Sequence, residues 1–327
     1  MAELKPLKPL APVGGNDPKT DFVKRAGQRS GQLPTPRLRA ISLDEEEALP
    51  FKMMLYGTWG TGKTLSLVGL LLHGFKVLVL TTDVGGSGLL SVKTWLRRTG
   101  RAALLTNVYS LTLSSYSEVE SFLEAPETYM PDIYDVDIDW LFWDGFSGYQ
   151  QVHVGSFVGD LEPARSDSGK PVSEGRQAGL VFEQADWGAV RNATIRAVSD
   201  FCNLANKKTG KQWHKAVTCL ESVKAKGGGQ GGFVETRQPL LQGAGGILSG
   251  AAFDLIIETT ATAASANAEE GSGGRQYWYV TKGNQQIAAK SRGIELEPRE
   301  TADMFALWQK IAKQVGLPYR EEPVPVA

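Results

Sequence analysis

The stretch Gly57-Thr58-Trp59-Gly60-Thr61-Gly62-Lys63-Thr64 decides how this chain is read. Its pattern, Gly-x4-Gly-Lys-Thr, belongs to a loop that wraps phosphate. Glycines let the backbone turn tightly, so that successive N–H groups point at an anion. A helix opening near Gly62 adds its positive amino end. Lys63 then reaches the β- and γ-phosphates of a nucleoside triphosphate, and Thr64 offers its hydroxyl to Mg²⁺. The flanks agree: residues 51–56 read as a buried strand and 63–73 as a helix. ATP and Mg²⁺ are the expected ligands.

Outward from this loop, short apolar runs alternate with amphipathic stretches, the signature of βαβ units. Strands are expected at residues 76–82, 107–111, 138–143, 215–220 and 253–257, with an exposed or edge strand at 276–281. Helices are expected at 87–98, 117–124, 186–206 and 301–315. The expected fold is therefore α/β, a mostly parallel twisted sheet with helices on both faces. Residues 160–179, 224–237 and 260–274 break the rhythm and read as long loops. Residues 1–36, rich in Pro, Gly, Lys and Arg, read as a disordered basic arm. The core is expected over 37–293, with a C-terminal helix and tail over 294–327.

A magnesium site needs a carboxylate at the tip of a neighbouring buried strand. Asp144, closing Ile138-Asp-Trp-Leu-Phe-Trp-Asp144, is the candidate. Hydrolysis further needs a group that orients water. Asp83, at the end of the strand after the loop's helix, and Glu221, after residues 215–220, are candidates. Either also serves a plain role, Asp83 as a turn former before Gly85. Trp140, Phe142 and Trp143 are expected in the sheet core, and Tyr277, Trp278 and Tyr279 in strand packing.

Bulk properties bound the rest. The chain has 327 residues, 22% charged and 42% hydrophobic, with a net charge of -1. No global field draws it to nucleic acid or membrane, so a polyanion would be met by a local basic patch. Cys202 and Cys219 match no metal spacing and suggest reduced thiols in a cytoplasmic compartment. No apolar run approaches the roughly 20 residues that cross a bilayer.

The order of pieces resembles the RecA-type core of P-loop ATPases, from about Lys52 to Gly293. Within that superfamily it most resembles phage-encoded RecA-core ATPases of single-strand annealing. The residues carrying the likeness are Gly57–Thr64, Asp144, the helix start Gln184-Ala-Asp-Trp-Gly188 and the loops after the later strands. The resemblance implies ATP hydrolysis in DNA recombination, on single-stranded DNA, by a homo-oligomeric ring or filament in the host cytoplasm. A single-strand-binding protein is an implied partner. Relatives usually carry glutamate where this chain has Asp83-Val84, which implies slow, DNA-stimulated turnover.

The likeness also places the segment 224–237 where relatives contact single strands. Lys224, Lys226 and Arg237 suit phosphates there, and Phe233 suits stacking on a base. A merely mobile loop is the alternative. Ala289-Lys290-Ser291-Arg292-Gly293 is similar to the basic motif that relatives insert into a neighbour's nucleotide site, so Lys290 and Arg292 are candidate catalytic cations. An exposed basic strand end is the alternative. Two other functions share these pieces: a helicase- or packaging-type DNA motor, and a nucleotide-gated regulatory or structural module that leaves DNA untouched.

Overall fold

Alternating burial along the central strands sets the architecture. In β1 (Lys52–Gly57), Met53 and Leu55 enter one hydrophobic cluster, while Met54 and Tyr56 enter another. Such two-sided burial belongs to a parallel sheet covered on both faces. The computed structural model describes residues 50–82, 88–155, 157, 184–228, 232–241, 250–263, 275–284, 287–291 and 293–316. These fall in the unit Ala48–Ala327. The expected arm, 1–36, and the segment 160–179 lie outside the described residues.

The further strands are β2 (Val77–Thr81), β3 (Val108–Thr112), β4 (Trp140–Asp144), β5 (His214–Gly228), β6 (Gly232–Pro239), β7 (Leu255–Ala263), β8 (Arg275–Val280), β9 (Lys290–Ser291) and β10 (Arg299–Thr301). They build a 10-stranded sheet in the order β10-β8-β7-β1-β5-β4-β2-β3, with β6 on β5 and β9 on β7. From β7 to β3 every neighbouring pair is parallel, whereas β6, β8, β9 and β10 pair antiparallel. The strand β1, which leads into the glycine loop, and the Asp144 strand β4 are not neighbours, because β5 runs between them.

On one face lie α1 (Leu67–Leu72), α2 (Leu89–Arg98) and α5 (Met304–Val315), through Leu70, Leu96 and Trp308. On the other lie α3 (Tyr116–Glu124) and α4 (Gln184–Asn203), through Phe122, Val198 and Phe201. Ser115 caps α3 by accepting from the Glu118 N–H, and Asp303 caps α5 by accepting from Phe305 and Ala306. The expected core aromatics Trp140, Phe142 and Trp143 are fully buried.

Three expectations need correction. Residues 224–237 do not form an irregular loop: β5 continues to Gly228 and returns as β6, with register from Glu221↔Pro239 to Gly228↔Gly232. The glycine-rich composition of residues 227–232 is what read as loop. The strand β7 likewise runs to Ala263, into the segment read as loop from residue 260. The strand at 276–281, expected as exposed or edge, is partly exposed, flanked by β7 and, over Trp278–Val280, by β10. Residues 63–66 form turns, so regular helix begins only at Leu67.

Candidate nucleotide site

The carboxyl ends of β1 and β4 and the middle of β5 open into one cleft of about 350 Å³, floored by Trp59 to Leu65. Asp144, Thr218 and Gly88 line one side, and Tyr277 lines another. Lys63 Nζ donates to the Gly57 and Thr58 carbonyls at 2.8 and 2.7 Å, so the loop holds its own cation in the cleft. The loop is tied sideways to β7, where Thr259 Oγ1 donates to Tyr56 O at 3.0 Å and lies 2.8 Å from Thr61 Oγ1.

Asp144 is 4% exposed and meets Thr64, as the spacing predicts. Thr64 Oγ1 donates to Asp144 Oδ2 at 2.9 Å, and Thr218 Oγ1 donates to Oδ1 at 2.7 Å. Thr218 in turn accepts from the Gly145 N–H at 3.0 Å, which fixes its lone proton on the carboxylate. Burial raises the Asp144 pKa, while the Thr218 and Thr64 hydroxyls and the Lys63 charge oppose that rise.

These residues fit a magnesium ion. A hydroxyl and a carboxylate are hard oxygen ligands, and Mg²⁺ takes few protein ligands because it keeps water and phosphate oxygens. Space beside them is reserved by sequence: a Cβ on Gly88 would lie 2.6 Å from Thr64 Oγ1 and would also strike Asp144 Oδ2. Among the described residues no group of three or more His, Cys, Asp or Glu side chains offers a denser metal cage.

The tip of β2 is held against this site. Trp143 Nε1 donates to Thr82 Oγ1 at 3.0 Å, Thr82 Oγ1 donates to Gly145 O at 3.1 Å, and His153 Nε2 lies 3.1 Å from Thr82 O. His153 comes from a π-helical turn, Tyr149–Val154, a departure from α-geometry often found at functional sites. The candidate Asp83, next in sequence, lies outside the described residues, as does Arg292.

The remaining candidates stand elsewhere. Glu221 is not among the cleft-lining residues. It pairs with Arg237, whose Nε is 3.7 Å from Glu221 Oε1 and whose Nη1 is 3.3 Å from Glu258 Oε1. Burial pushes the Glu258 pKa up, and Glu221 adds to that while Arg237 opposes it. Tyr56 Oη, on β1, donates to Arg237 O at 3.4 Å, so the foot of the β5–β6 hairpin is fastened to β1. Lys224, Lys226 and Phe233 lie on that hairpin, their side chains outside the described residues. Lys290, beside Ile256 in β9, donates to Gly250 O at 3.0 Å and Phe253 O at 2.8 Å of its own chain.

Sequence reasoning missed Thr218, Gly88, Thr259 and Tyr277. Thr218 left a signal, a hydroxyl inside the apolar run Ala216-Val-Thr-Cys-Leu220. Gly88 was hidden in a glycine-rich turn. A scan against models of known protein families finds no match, and a search of curated proteins finds no similar sequence.

Proposed function

We propose that this chain is a Mg²⁺-dependent ATPase with a RecA-like P-loop core, whose nucleotide state acts on single-stranded DNA held by the β5–β6 hairpin in a homo-oligomer. One observation carries the nucleotide part: the Thr64 hydroxyl and the Asp144 carboxylate, 80 residues apart in sequence, meet at 2.9 Å above the glycine loop. Under this reading the N–H groups of residues 58–64 hold the phosphates, and Lys63 turns from the Gly57 and Thr58 carbonyls to phosphate oxygens. Ionised Asp144 and Thr64 Oγ1 hold the ion, with Thr218 keeping the carboxylate oriented. Bound there, Mg²⁺ supplies charge neutralisation on the β- and γ-phosphates. The strand β5, set between β1 and β4, passes the cleft at Thr218, Cys219 and Leu220 and runs on into the hairpin. A displacement there therefore has a covalent route to Lys224, Lys226 and Phe233.

A second reading is favoured by the partners of two expected cations. Arg237 is occupied by two carboxylates and Lys290 by two carbonyls, as in a nucleotide-gated module that leaves DNA untouched. ATP turnover measured with and without single-stranded DNA separates the two. The DNA reading expects stimulation by single strands, weakened by added salt because phosphate contacts release counterions. Turnover indifferent to DNA, with no binding at low salt, selects the module.

A further inference from the structure

The cleft has two walls on opposite sides of the P-loop. The tip of β4 and the middle of β5 stand on one side with Asp144 and Thr218, joined by Gly88 before α2. β8 stands on the other side, separated from β1 by β7 alone, and contributes Tyr277. The ring rests directly on the loop: a Cβ on Gly62, whose φ is 81°, would lie 2.8 Å from Tyr277 Cδ1 and 2.9 Å from Cγ. Two residues earlier on the same strand, Arg275 sets Nη1 3.4 Å from the matching point on Gly60, whose φ is 72°. The two-residue repeat of β8 thus matches the two left-handed glycines of the loop.

This placement orients a ligand. A magnesium ion held by Thr64 and Asp144 would neutralise the terminal phosphates, so that pair marks the γ end, on the β4 side. The α-phosphate, ribose and base then extend towards β8. Neighbouring strands are about 4.8 Å apart, which puts β8 about 10 Å from β1, a span an α-phosphate and a ribose cover. Among the described lining residues, every carboxylate and aliphatic hydroxyl comes from the glycine loop or from the β4, β5 and α2 side. Among the described lining residues, β8 offers an aromatic ring and no carboxylate or amide to read a base edge.

We propose that Tyr277 is the nucleobase platform of this site, holding the base by its face and leaving its polar edge unread. The inference rests on the triphosphate reading of the cleft. Because every base has a π-face, such a platform tolerates exchange of one purine for another. Tyr277 is a binding residue here; its contact with Gly62 holds the ring at the height of the loop.

The test compares ATP, GTP and inorganic tripolyphosphate, each with Mg²⁺, on the full chain by calorimetry. Tyr277→Ala should weaken ATP and GTP about ten- to a hundredfold and tripolyphosphate less than about threefold, since only stacking is lost. Tyr277→Phe should keep nucleotide affinity within about threefold of the native chain, because the π-face remains. Tyr277→Leu, which keeps bulk over Gly62, should behave as the alanine variant does and stands in for it if that variant does not fold. Native affinities for ATP and GTP should agree within about tenfold. Equal losses for ATP and tripolyphosphate overturn the proposal, for then the ring only supports the loop. So does unchanged ATP affinity in the leucine variant, or strong preference for one purine. Native protein that binds neither ATP nor tripolyphosphate overturns the triphosphate reading itself, and that result is recognised without any Tyr277 variant.

Discussion

Asp144 and Lys215 are both ionisable, both buried, and sit on neighbouring strands at opposite ends of the sheet. Burial pushes each towards its neutral form, raising the Asp144 pKa and lowering that of Lys215 to about 7. Their surroundings differ. Asp144 receives two threonine hydroxyls and borders a cleft, whereas Lys215 is fully buried and donates to a single carbonyl, Trp213 O, at 2.8 Å. Near Lys215 the amino ends of the strands are closed by aromatic rings, with His214 4.4 Å from Trp308 and Trp140 4.9 Å from His214. A charge at the carboxyl end can be restored by a cation entering the cleft. A charge at the amino end has no such remedy. The same parallel strands therefore carry an open cleft with a buried carboxylate at one end and aromatic packing at the other, as expected of open α/β sheets.

Substitutions at the two ends should separate these roles. The largest effect is expected from Asp144→Asn, which should lower Mg²⁺-dependent ATP turnover by at least about a hundredfold, the scale of losing one preorganised electrostatic group. Its melting temperature should stay level or rise. The sign follows from the raised pKa: the native state holds a proton more tightly than the unfolded chain, so ionised Asp144 costs stability as pH climbs above 3.8. Turnover that survives in Asp144→Asn breaks the comparison at its functional end.

Gly88→Ala sharpens it. Gly88 has φ -50°, so alanine brings no backbone strain, yet its methyl would enter the space beside Thr64 and Asp144. The Mg²⁺ concentration for half-maximal turnover should rise about tenfold, as for losses beside a metal ligand. An unchanged Mg²⁺ requirement would remove the ion from this spot.

The smallest effect belongs to the other end. Lys215→Met should raise the melting temperature by a few degrees, at about 1–2 °C per kcal/mol for a chain of this size, and leave turnover alone. With its folded pKa near 7 against 10.5 unfolded, Lys215 costs stability at neutral pH, and the native chain recovers it as pH rises through that window. The gap between native and variant should therefore narrow from about pH 7 towards 10.5. A gap independent of pH would mean that Lys215 is not the source.

The glycine loop and Asp144 were legible in the sequence because each is local: a glycine spacing, and an acid closing an apolar run. Thr64 and Asp144 were expected to meet, and they do. Thr218 and Tyr277 were harder to find, because their roles depend on which strands become neighbours. No spacing says that β5 would insert between β1 and β4, or that β8 would stand two strands from the loop. Arg237 illustrates the same difficulty in reverse. In sequence it is a basic residue beside a glycine-rich turn, and its carboxylate partners, Glu221 and Glu258, come from β5 and β7. The hairpin was misread for a local reason, since Gly227-Gly-Gly-Gln-Gly-Gly232 signals a turn but not how far the strands run on either side.

The most direct test is a calorimetric titration of the native chain and Lys63→Ala with ATP, in the presence and absence of Mg²⁺. The account predicts Mg²⁺-dependent binding by the native chain and its loss in the variant, with the melting temperature preserved. Binding of equal strength in both proteins, or none in the native chain, would contradict it.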